Sequence, residues 1–220
     1  LLVYSVLARN TAALYRVGVW GIKMALWLAG VRLEVHGRER IPAGRAVVFM
    51  PNHQSNCDPP AMIAILPPIL VMAKKEFFRV PVLGRAMLRC GFIPVDRRNP
   101  ERALRAVEKA VESLKAGRPF LVFPEGTRSP DGRLQRFKKG VFVMAIQAGA
   151  PVVPISISGS SKIMRKGAFV IRPGVVRITI HDMILTAGRS LGDRHKIMEN
   201  TRRAILSGLT PEEWPSDATN

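Results

Sequence analysis

The chain has 220 residues, of which 47 % are apolar and 23 % charged, and its formal net charge is +18. This length and composition are typical of one globular domain with a sizeable core, and they exclude an intrinsically disordered chain. The surplus of cations indicates an anionic partner: nucleic acid, an acidic membrane face, a phosphorylated small molecule or an acidic carrier protein.

Residues 1–31 form an apolar segment that Arg9, Arg16 and Lys23 interrupt at intervals of seven residues. Seven residues make nearly two helical turns, so the three cations lie along one face of a helix. The remaining face carries apolar and aromatic residues: Leu7, Leu14, Tyr15, Val19, Trp20, Ile22, Leu26 and Trp27. The pattern predicts an amphipathic helix on a membrane surface. The alternatives are a helix packed on the protein's own core and a tilted spanning helix with snorkelling cations.

From residue 32 onward, segments with strand and helix patterns alternate along the chain. Short apolar runs rich in β-branched residues predict strands at 32–37, 46–50, 69–73, 92–95, 119–124, 151–158 and 175–182. Helical patterns occur at 58–66, 80–90, 99–117, 140–149 and 190–208. Asn99 is the predicted N-cap of the third of these helices. The alternation predicts an α/β domain with a largely parallel or mixed central sheet flanked by helices, and a frayed tail from Thr210.

Three polar clusters each follow a predicted strand directly. Asn52, His53, Ser55 and Asp58 follow the strand at 46–50, "DRRN" follows the strand at 92–95, and "EGTRS" (125–129) follows the strand at 119–124. Ligands of open α/β sheets bind at the carboxyl ends of strands. The coincidence of three clusters therefore predicts a functional site at this edge.

His53 and Asp58 are five residues apart, with the histidine in a loop and the aspartate at the start of a helix. A carboxylate on one imidazole nitrogen fixes the tautomer and leaves the other nitrogen free to take a proton from a substrate hydroxyl. No G-x-S-x-G nucleophile elbow is present, and neither Cys57 nor Cys90 has the sequence context of a nucleophile. The pair therefore suits direct attack by a substrate alcohol, whereas a helix-capping Asp58 beside a hydrogen-bonded His53 is the structural alternative.

Metal chemistry has little support in the sequence. The other histidines, His36, His181 and His195, are scattered, and two cysteines provide neither a zinc cluster nor a disulfide framework.

The segment "FPEGTRSPDGRLQRFKKG" (123–140) combines a possible anion site with a polar turn. Arg128 offers a planar fork for phosphate, and Gly126 allows a close backbone approach. A solvated turn explains residues 130–135 well, but it explains "EGTR" directly after a buried strand poorly. Lys74 and Lys75, at the end of the strand at 69–73, are further candidates for phosphate binding.

These motifs together resemble the glycerolipid acyltransferases, in particular bacterial 1-acylglycerol-3-phosphate acyltransferases. The N-H-x-S-x-x-D block of that family is matched by Asn52 to Asp58, and its G-x-I-x-x-x-R block by Gly91, Ile93 and Arg97. The F-P-E-G-T-R-S block is matched by Phe123 to Ser129 without a mismatch. A fourth, apolar block with an internal proline is similar to "VVPISISG", with Pro154 at its centre. The blocks agree in order and spacing across residues 32–182.

The resemblance implies that His53, oriented by Asp58, deprotonates the free hydroxyl of a lysophospholipid, which then attacks an acyl thioester. It also implies a set of residues that bind the acceptor and shape its phosphate pocket: Lys74, Arg97, Glu125, Gly126, Thr127 and Arg128. Pro154 and its neighbours would serve the acyl donor. The family requires no metal and no bound cofactor, and acyl-CoA or acyl carrier protein acts as co-substrate.

Residues 1–31 would then be the membrane-associating segment, 32–210 the acyltransferase domain and 211–220 a tail. The expected partners are the lysophospholipid, the acyl donor and an anionic membrane surface at the cytoplasmic face of a bacterial inner membrane.

Another acceptor, such as a lyso-ornithine lipid, would use the same motifs. A nucleic-acid-binding protein is disfavoured because only 6 % of residues are aromatic, which leaves few side chains for base stacking. A non-catalytic membrane-surface protein with the same fold is the third alternative.

Overall fold

A seven-stranded sheet forms the centre of the protein. The structure is a computed structural model that describes residues 10–96, 100–168 and 170–216. In this part of the chain the strands have the spatial order β1-β7-β6-β2-β5-β3-β4. They are β1 (Val31–His36), β2 (Val48–Pro51), β3 (Leu70–Lys74), β4 (Ile93–Val95), β5 (Phe120–Leu121), β6 (Val152–Ser158) and β7 (Gly174–Ile180).

The sheet is mixed, because one pair of neighbouring strands is antiparallel. Strands β6, β2, β5, β3 and β4 run in the same direction, whereas β7 pairs antiparallel with β6 and parallel with β1. The amino ends of β1 and β7 therefore lie at the same edge of the sheet as the carboxyl ends of the other five strands. This confirms the predicted α/β fold with a largely parallel or mixed sheet.

Helices cover both faces of the sheet. The described α-helices are α1 (Thr11–Leu28), α2 (Asp58–Ile65), α3 (Leu83–Arg89), α4 (Pro100–Lys115), α5 (Lys139–Ala148), α6 (Ser160–Ile163) and α7 (Arg194–Ser207). One core cluster joins α1, α2 and α6 to the sheet, and the other joins α4, α5 and α7. Successive residues of β2 alternate between the two clusters, as strand geometry requires: Phe49 belongs to the first, and Val48 and Met50 to the second.

Most predicted elements are present within a few residues of their expected bounds, and three details differ. The strand predicted at 119–124 pairs only over Phe120–Leu121. The helix predicted at 80–90 begins at Leu83, after a 3₁₀ helix at Lys75–Arg79. The short helix α6 was not predicted. Asn99, the predicted cap of α4, lies outside the described residues.

The expectation of a frayed tail from Thr210 is wrong for residues 210–213. A 3₁₀ helix at Pro211–Glu213 brings the carboxylate of Glu213 into the protein, where it is buried. Glu213 Oε1 accepts a hydrogen bond from the backbone N–H of Gly159, and the backbone carbonyl of Glu213 accepts one from Leu134. These bonds fasten the end of the domain to the loop that follows β6 and to the loop that precedes α5.

The N-terminal helix α1 divides its apolar residues between the core and the surface. Leu14 and Leu26 are buried against the domain, whereas Trp20 and Trp27 are 62 % and 75 % exposed. The seven-residue spacing of the cations predicts both tryptophans on the remaining, apolar face. Residues 16, 20, 23 and 27 follow one another at intervals of four, three and four, so the exposed tryptophans share one helical face with Arg16 and Lys23. That assignment of the tryptophans is therefore wrong.

No helix within the described ranges is both long enough and apolar enough to cross a bilayer.

The turn after β1 generates a stability prediction. Gly37 has φ +75°, and a Cβ atom there would lie 2.3 Å from the backbone oxygen of Ile180. Gly44 also has positive φ, +62°, but a Cβ atom there meets nothing within 4 Å. Gly44→Ala should therefore lower the free energy of unfolding by about 1 kcal/mol, the cost of the left-handed backbone alone. Gly37→Ala should lower it by about 2 kcal/mol more, because the backbone must shift. Urea denaturation of both variants measures the difference, and equal losses would contradict the close approach.

Candidate active site

The loop after β2 is fixed at its first residue by a two-point hydrogen bond to β6. Asn52 is fully buried, and its Nδ2 donates to the backbone oxygen of Ile157 at 2.8 Å. Its Oδ1 accepts from the backbone N–H of the same residue at 2.7 Å. The side chain thus continues the β2–β6 pairing beyond Pro51, which is paired with Ile155. Asn52 determines where the loop of residues 52–57 leaves the sheet.

His53 and Asp58 are in direct contact. His53 Nδ1 lies 2.8 Å from Asp58 Oδ2, and the aspartate is fully buried while the histidine side chain is 13 % exposed. An ionised carboxylate can only accept hydrogen bonds, so Nδ1 carries the proton in this pair. Nε2 of the neutral ring is then an acceptor.

Asp58 also folds the loop that carries the histidine. The same Oδ2 atom accepts hydrogen bonds from the backbone N–H groups of Gln54 and Ser55, each at 2.7 Å. These donors precede the helix, and the N-cap residue of α2, Cys57, makes no side-chain capping bond. The interpretation of Asp58 as a simple helix cap is therefore wrong. Its Oδ1 atom is buried without a hydrogen-bond partner among the residues that the structure describes.

Phe123 supports the imidazole ring from one side. The two rings stack with centroids 4.0 Å apart and an interplanar angle of 25°. Phe123 lies two residues after β5, a strand that pairs over only two residues. Sequence reasoning missed this role of Phe123, because a phenylalanine after a buried strand is ordinarily read as core.

The "EGTRS" segment holds the backbone of His53 at both of its polar groups. Glu125 Oε1 accepts from the backbone N–H of His53 at 2.7 Å, and the N–H of Ser129 donates to the His53 carbonyl at 2.8 Å. Two motifs that are far apart in the sequence therefore meet at one residue. Gly126, between them, has φ +73°, a conformation that glycine adopts without strain.

Glu125 is buried, with an exposed fraction of 2 %, and both of its carboxylate oxygens face backbone donors. Its Oε2 accepts from the N–H of Gln135 at 3.2 Å. Burial raises the pKa of Glu125 to about 8, despite the opposing effect of these two hydrogen bonds. Glu125 connects the loop of His53 to the long loop before α5, and its second partner, Gln135, was missed by sequence reasoning.

The candidate acceptor-binding residues have different surroundings. Arg128 is half-buried, and its Nη1 atom is enclosed without a hydrogen-bond partner in the described part of the chain. Thr127 is exposed, and Lys74 is exposed at the end of β3, 3.8 Å from Glu76. Lys75, the alternative cation, pairs instead with Asp96 at 2.6 Å. Arg97 lies outside the described residues.

The structure thus brings Asp58 and Glu125 into hydrogen-bonding contact with His53. Lys74 and Arg128 lie at the same edge of the sheet. Pro154 is buried in β6 beside Met50, so any effect on a donor passes through packing rather than contact. Among residues 10–96, 100–168 and 170–216, no group of three histidine, cysteine or acidic side chains is arranged to hold a metal ion.

A cationic groove lies beside Glu125 and Thr127. Its volume is about 460 Å³, and its lining includes Arg133, Arg136, Lys138 and Lys166. Lys166 also donates to the backbone oxygen of Arg128 at 3.0 Å, which connects the groove to the "EGTRS" segment.

Comparisons with known proteins agree on one family. A family model described as Acyltransferase matches residues 32–158. The 1-acyl-sn-glycerol-3-phosphate acyltransferase of Borreliella burgdorferi is 34 % identical over 86 % of this chain and 76 % of that protein. A chloroplast 1-acyl-sn-glycerol-3-phosphate acyltransferase of Brassica napus is 36 % identical over 77 % of this chain. The chain spans about half the length of such plant relatives. The crystal structure of the 1-acyl-sn-glycerophosphate acyltransferase of Thermotoga maritima superposes with a TM-score of 0.81, at 29 % identity, covering 94 % of this chain and 86 % of that one.

The raised pKa of Glu125 predicts a pH-dependent stability. The folded-state pKa of about 8 lies above the ordinary value of 4.5, so the unfolded chain releases this proton first as the pH rises. Protonated Glu125 therefore stabilises the folded state fully below about pH 4.5, and this contribution is lost as the pH rises to about 8. Over this range the free energy of unfolding falls by up to about 1.4 kcal/mol per pH unit.

Urea denaturation across this pH range, for the wild-type protein and for Glu125→Gln, isolates the effect. The free energy of unfolding of the wild type should fall more steeply with pH than that of the variant, which does not titrate at this position. Parallel curves would contradict the assignment.

Proposed function

The chain belongs to the acyltransferase family, and from this premise we propose that it acylates a lysophospholipid. The acyl group moves from a thioester, on coenzyme A or acyl carrier protein, to the free sn-2 hydroxyl of 1-acylglycerol-3-phosphate, and the product is phosphatidic acid. The observation that carries the proposal is the 2.8 Å contact between His53 Nδ1 and Asp58, which leaves Nε2 as the acceptor of a proton.

The reaction proceeds in one transfer without an acyl-enzyme. His53 Nε2 takes the hydroxyl proton of the acceptor as its oxygen attacks the thioester carbonyl. The carbon–sulfur bond then breaks, and the leaving thiolate receives the proton from the imidazolium. Asp58 stabilises the imidazolium, as the carboxylate of a hydrolase triad does.

The candidate protein nucleophiles near His53 are engaged elsewhere, which supports direct transfer. Ser55 Oγ donates to the backbone oxygen of Met164 at 2.8 Å and accepts from the N–H of Cys57 at 3.1 Å. Burial raises the pKa of the Cys57 and Cys90 thiols, so both are poor sources of thiolate.

The phosphate of the acceptor is assigned to Arg128 and Lys74, together with Arg97. The enclosed Nη1 atom of Arg128 supports this assignment, because a buried donor without a partner is costly and a phosphate oxygen would satisfy it. Glu125, Gly126 and Thr127 shape the site through the backbone of the loop. The cationic groove beside them suits the phosphate groups of coenzyme A or the acidic surface of a carrier protein.

The lipid substrate reaches the site from a membrane surface on which α1 lies. The exposed face of α1 alternates Arg16, Trp20, Lys23 and Trp27, a combination that suits the headgroup region of an anionic bilayer. The C-terminal end of α1 leads into β1 at the edge of the sheet that carries His53, so a lipid held at this surface is close to the base. We assign the protein to the cytoplasmic face of a bacterial inner membrane.

Removal of the base tests the mechanism. His53→Ala should lower kcat by at least about 100-fold, because general-base catalysis typically contributes a factor of 10²–10⁴. Initial rates with 1-oleoylglycerol-3-phosphate and a labelled acyl-CoA measure the effect. His195→Ala, at an exposed histidine of α7, is the control and should retain full activity. Near-normal turnover by a folded His53→Ala protein would remove His53 as the base.

Removal of the guanidinium tests the acceptor site. Arg128→Ala should raise the KM for the phosphate-bearing acceptor by about tenfold or more, the loss expected for one charge-assisted hydrogen bond, while the KM for the thioester changes little. Arg189→Ala, at an exposed arginine far from the loop, is the matched control. A change confined to the donor KM would refute the assignment of Arg128.

A panel of lysolipids with one labelled thioester then identifies the acceptor. Preference for a lyso-ornithine lipid over 1-acylglycerol-3-phosphate would replace the proposed substrate.

A further inference from the structure

The segment between β3 and β4 exposes an unusual number of apolar side chains. Residues 75–89 comprise the 3₁₀ helix at Lys75–Arg79, a turn and helix α3. Five apolar residues of this short stretch are between 40 % and 53 % exposed: Phe77, Val80, Val82, Leu83 and Leu88. Concentrated exposure of this kind, unlike single exposed leucines, marks an interaction surface.

The backbone of the segment is built to hold this conformation. Val82 has φ +64° and ψ −56°, and the N–H of Leu83 donates to the carbonyl of Pro81 at 2.7 Å, which closes a strained three-residue turn. A Cβ atom on Gly84 would lie 2.1 Å from the backbone oxygen of Phe78, so the chain is folded tightly on itself. Positive φ at a β-branched residue is costly, and such strain concentrates at functional positions.

Exposed cations are interleaved with these apolar residues. Arg79, Arg85 and Arg89 are all exposed. In α3, the spacing of Arg85, Leu88 and Arg89 puts all three along one face. Exposed arginines beside leucine and phenylalanine are complementary to anionic headgroups over acyl chains.

The segment lies beside α1, whose exposed face has the same chemistry. The hydroxyl of Tyr15 in α1 accepts a hydrogen bond from the N–H of Ile69, at the start of β3, and Cys90, which follows α3, lies near the same hydroxyl. Residue 75 follows the carboxyl end of β3, and the C-terminus of α1 reaches the same edge of the sheet through β1. The amino-terminal half of α1 is therefore a neighbour of the end of α3, while the carboxyl end of α1 and residue 75 share the His53 edge with four strands between β1 and β3.

We propose that residues 75–89 form a second membrane-contacting element, which holds the His53 edge of the sheet against an anionic bilayer. The inference rests on the proposed function in one respect, namely that the substrate is a membrane lipid. A single helix lying on a bilayer leaves the domain free to rotate about the helix axis. A second contact beside α1 removes that freedom and fixes the distance of His53 from the headgroups.

Binding to vesicles tests the second contact. The wild-type chain and the double variant Leu83→Asp/Leu88→Asp are sedimented with phosphatidylcholine vesicles containing 30 % phosphatidylglycerol. The variant should bind about tenfold or more weakly, because two half-exposed leucines no longer enter the acyl region. The control, Leu185→Asp/Leu191→Asp, changes two leucines of similar exposure, 54 % and 48 %. Leu185 follows the bridge between Val152 and Ile184 at the amino end of β6, so this pair should bind within about twofold of the wild type.

A second variant tests the cations without touching the apolar residues. Arg85→Gln/Arg89→Gln should retain binding to pure phosphatidylcholine and lose part of the preference for phosphatidylglycerol. An unchanged preference would refute the electrostatic part of the proposal. Thermal melts of all variants establish that they are folded.

Turnover of substrates below their micelle concentrations separates this inference from the proposed function. A short-chain lysophosphatidate and a short-chain acyl-CoA should be converted by Leu83→Asp/Leu88→Asp at the wild-type rate. Equal vesicle binding by this variant and the wild type would overturn the second contact while leaving catalysis intact. A change in oligomeric state or in carrier-protein binding, without a change in vesicle binding, would also overturn it in favour of a protein partner. Absence of turnover by the wild type would refute the proposed function, whatever the vesicles show.

Discussion

One oxygen atom of Asp58 organises the loop that carries His53. It receives three donors, the Nδ1–H of His53 and the backbone N–H groups of Gln54 and Ser55. The bonds that fold the loop and the bond that orients the imidazole are therefore made by the same acceptor. Residues outside the loop also hold it in place. Asn52 attaches the start of the loop to β6, and Glu125 and Ser129 form hydrogen bonds with the backbone of His53. A ring fixed in this way loses little freedom when a substrate hydroxyl arrives, which is what preorganised catalysis requires.

Sheet topology brings this loop to the surface proposed to face the lipid. Five parallel strands end at one edge, and the reversed direction of β7 and β1 brings the start of β1, and hence the end of α1, to that edge as well. The helix that exposes Trp20 and Trp27 thus leads directly into the edge that carries His53. A chain that acts on a membrane lipid needs this coincidence, because the reacting hydroxyl of a lysolipid lies close to the headgroup plane.

Local patterns were enough to predict most of the strands and helices, because β-branched runs and 3.6-residue periodicity reflect local backbone preferences. They also located His53, Asp58 and Glu125, since three polar clusters followed three apolar runs. The partners of Glu125 could not be identified from the sequence. They are the backbone N–H groups of His53 and Gln135, and any residue except proline could donate these bonds. The placement of Trp20 and Trp27 was a misreading of periodicity, because intervals of four and three residues already put them on the face of Arg16 and Lys23. How deeply each residue on the other faces of α1 is buried depends on packing, which residue type does not show. The packed segment at Thr210–Glu213 was missed because the backbone donors that hold Glu213, at Gly159 and Leu134, are distant in the sequence.

The tautomer of His53 is the most direct test of the central claim that Asp58 prepares this ring as a base. ¹⁵N-edited NMR of the imidazole nitrogens in the folded protein, with the His53 signals assigned by their loss in His53→Ala, reads the tautomer of the neutral ring. The account predicts a proton on Nδ1, shared with Asp58, and a bare Nε2. A neutral ring that carries its proton on Nε2 would contradict it, because no acceptor for the substrate proton would then be available.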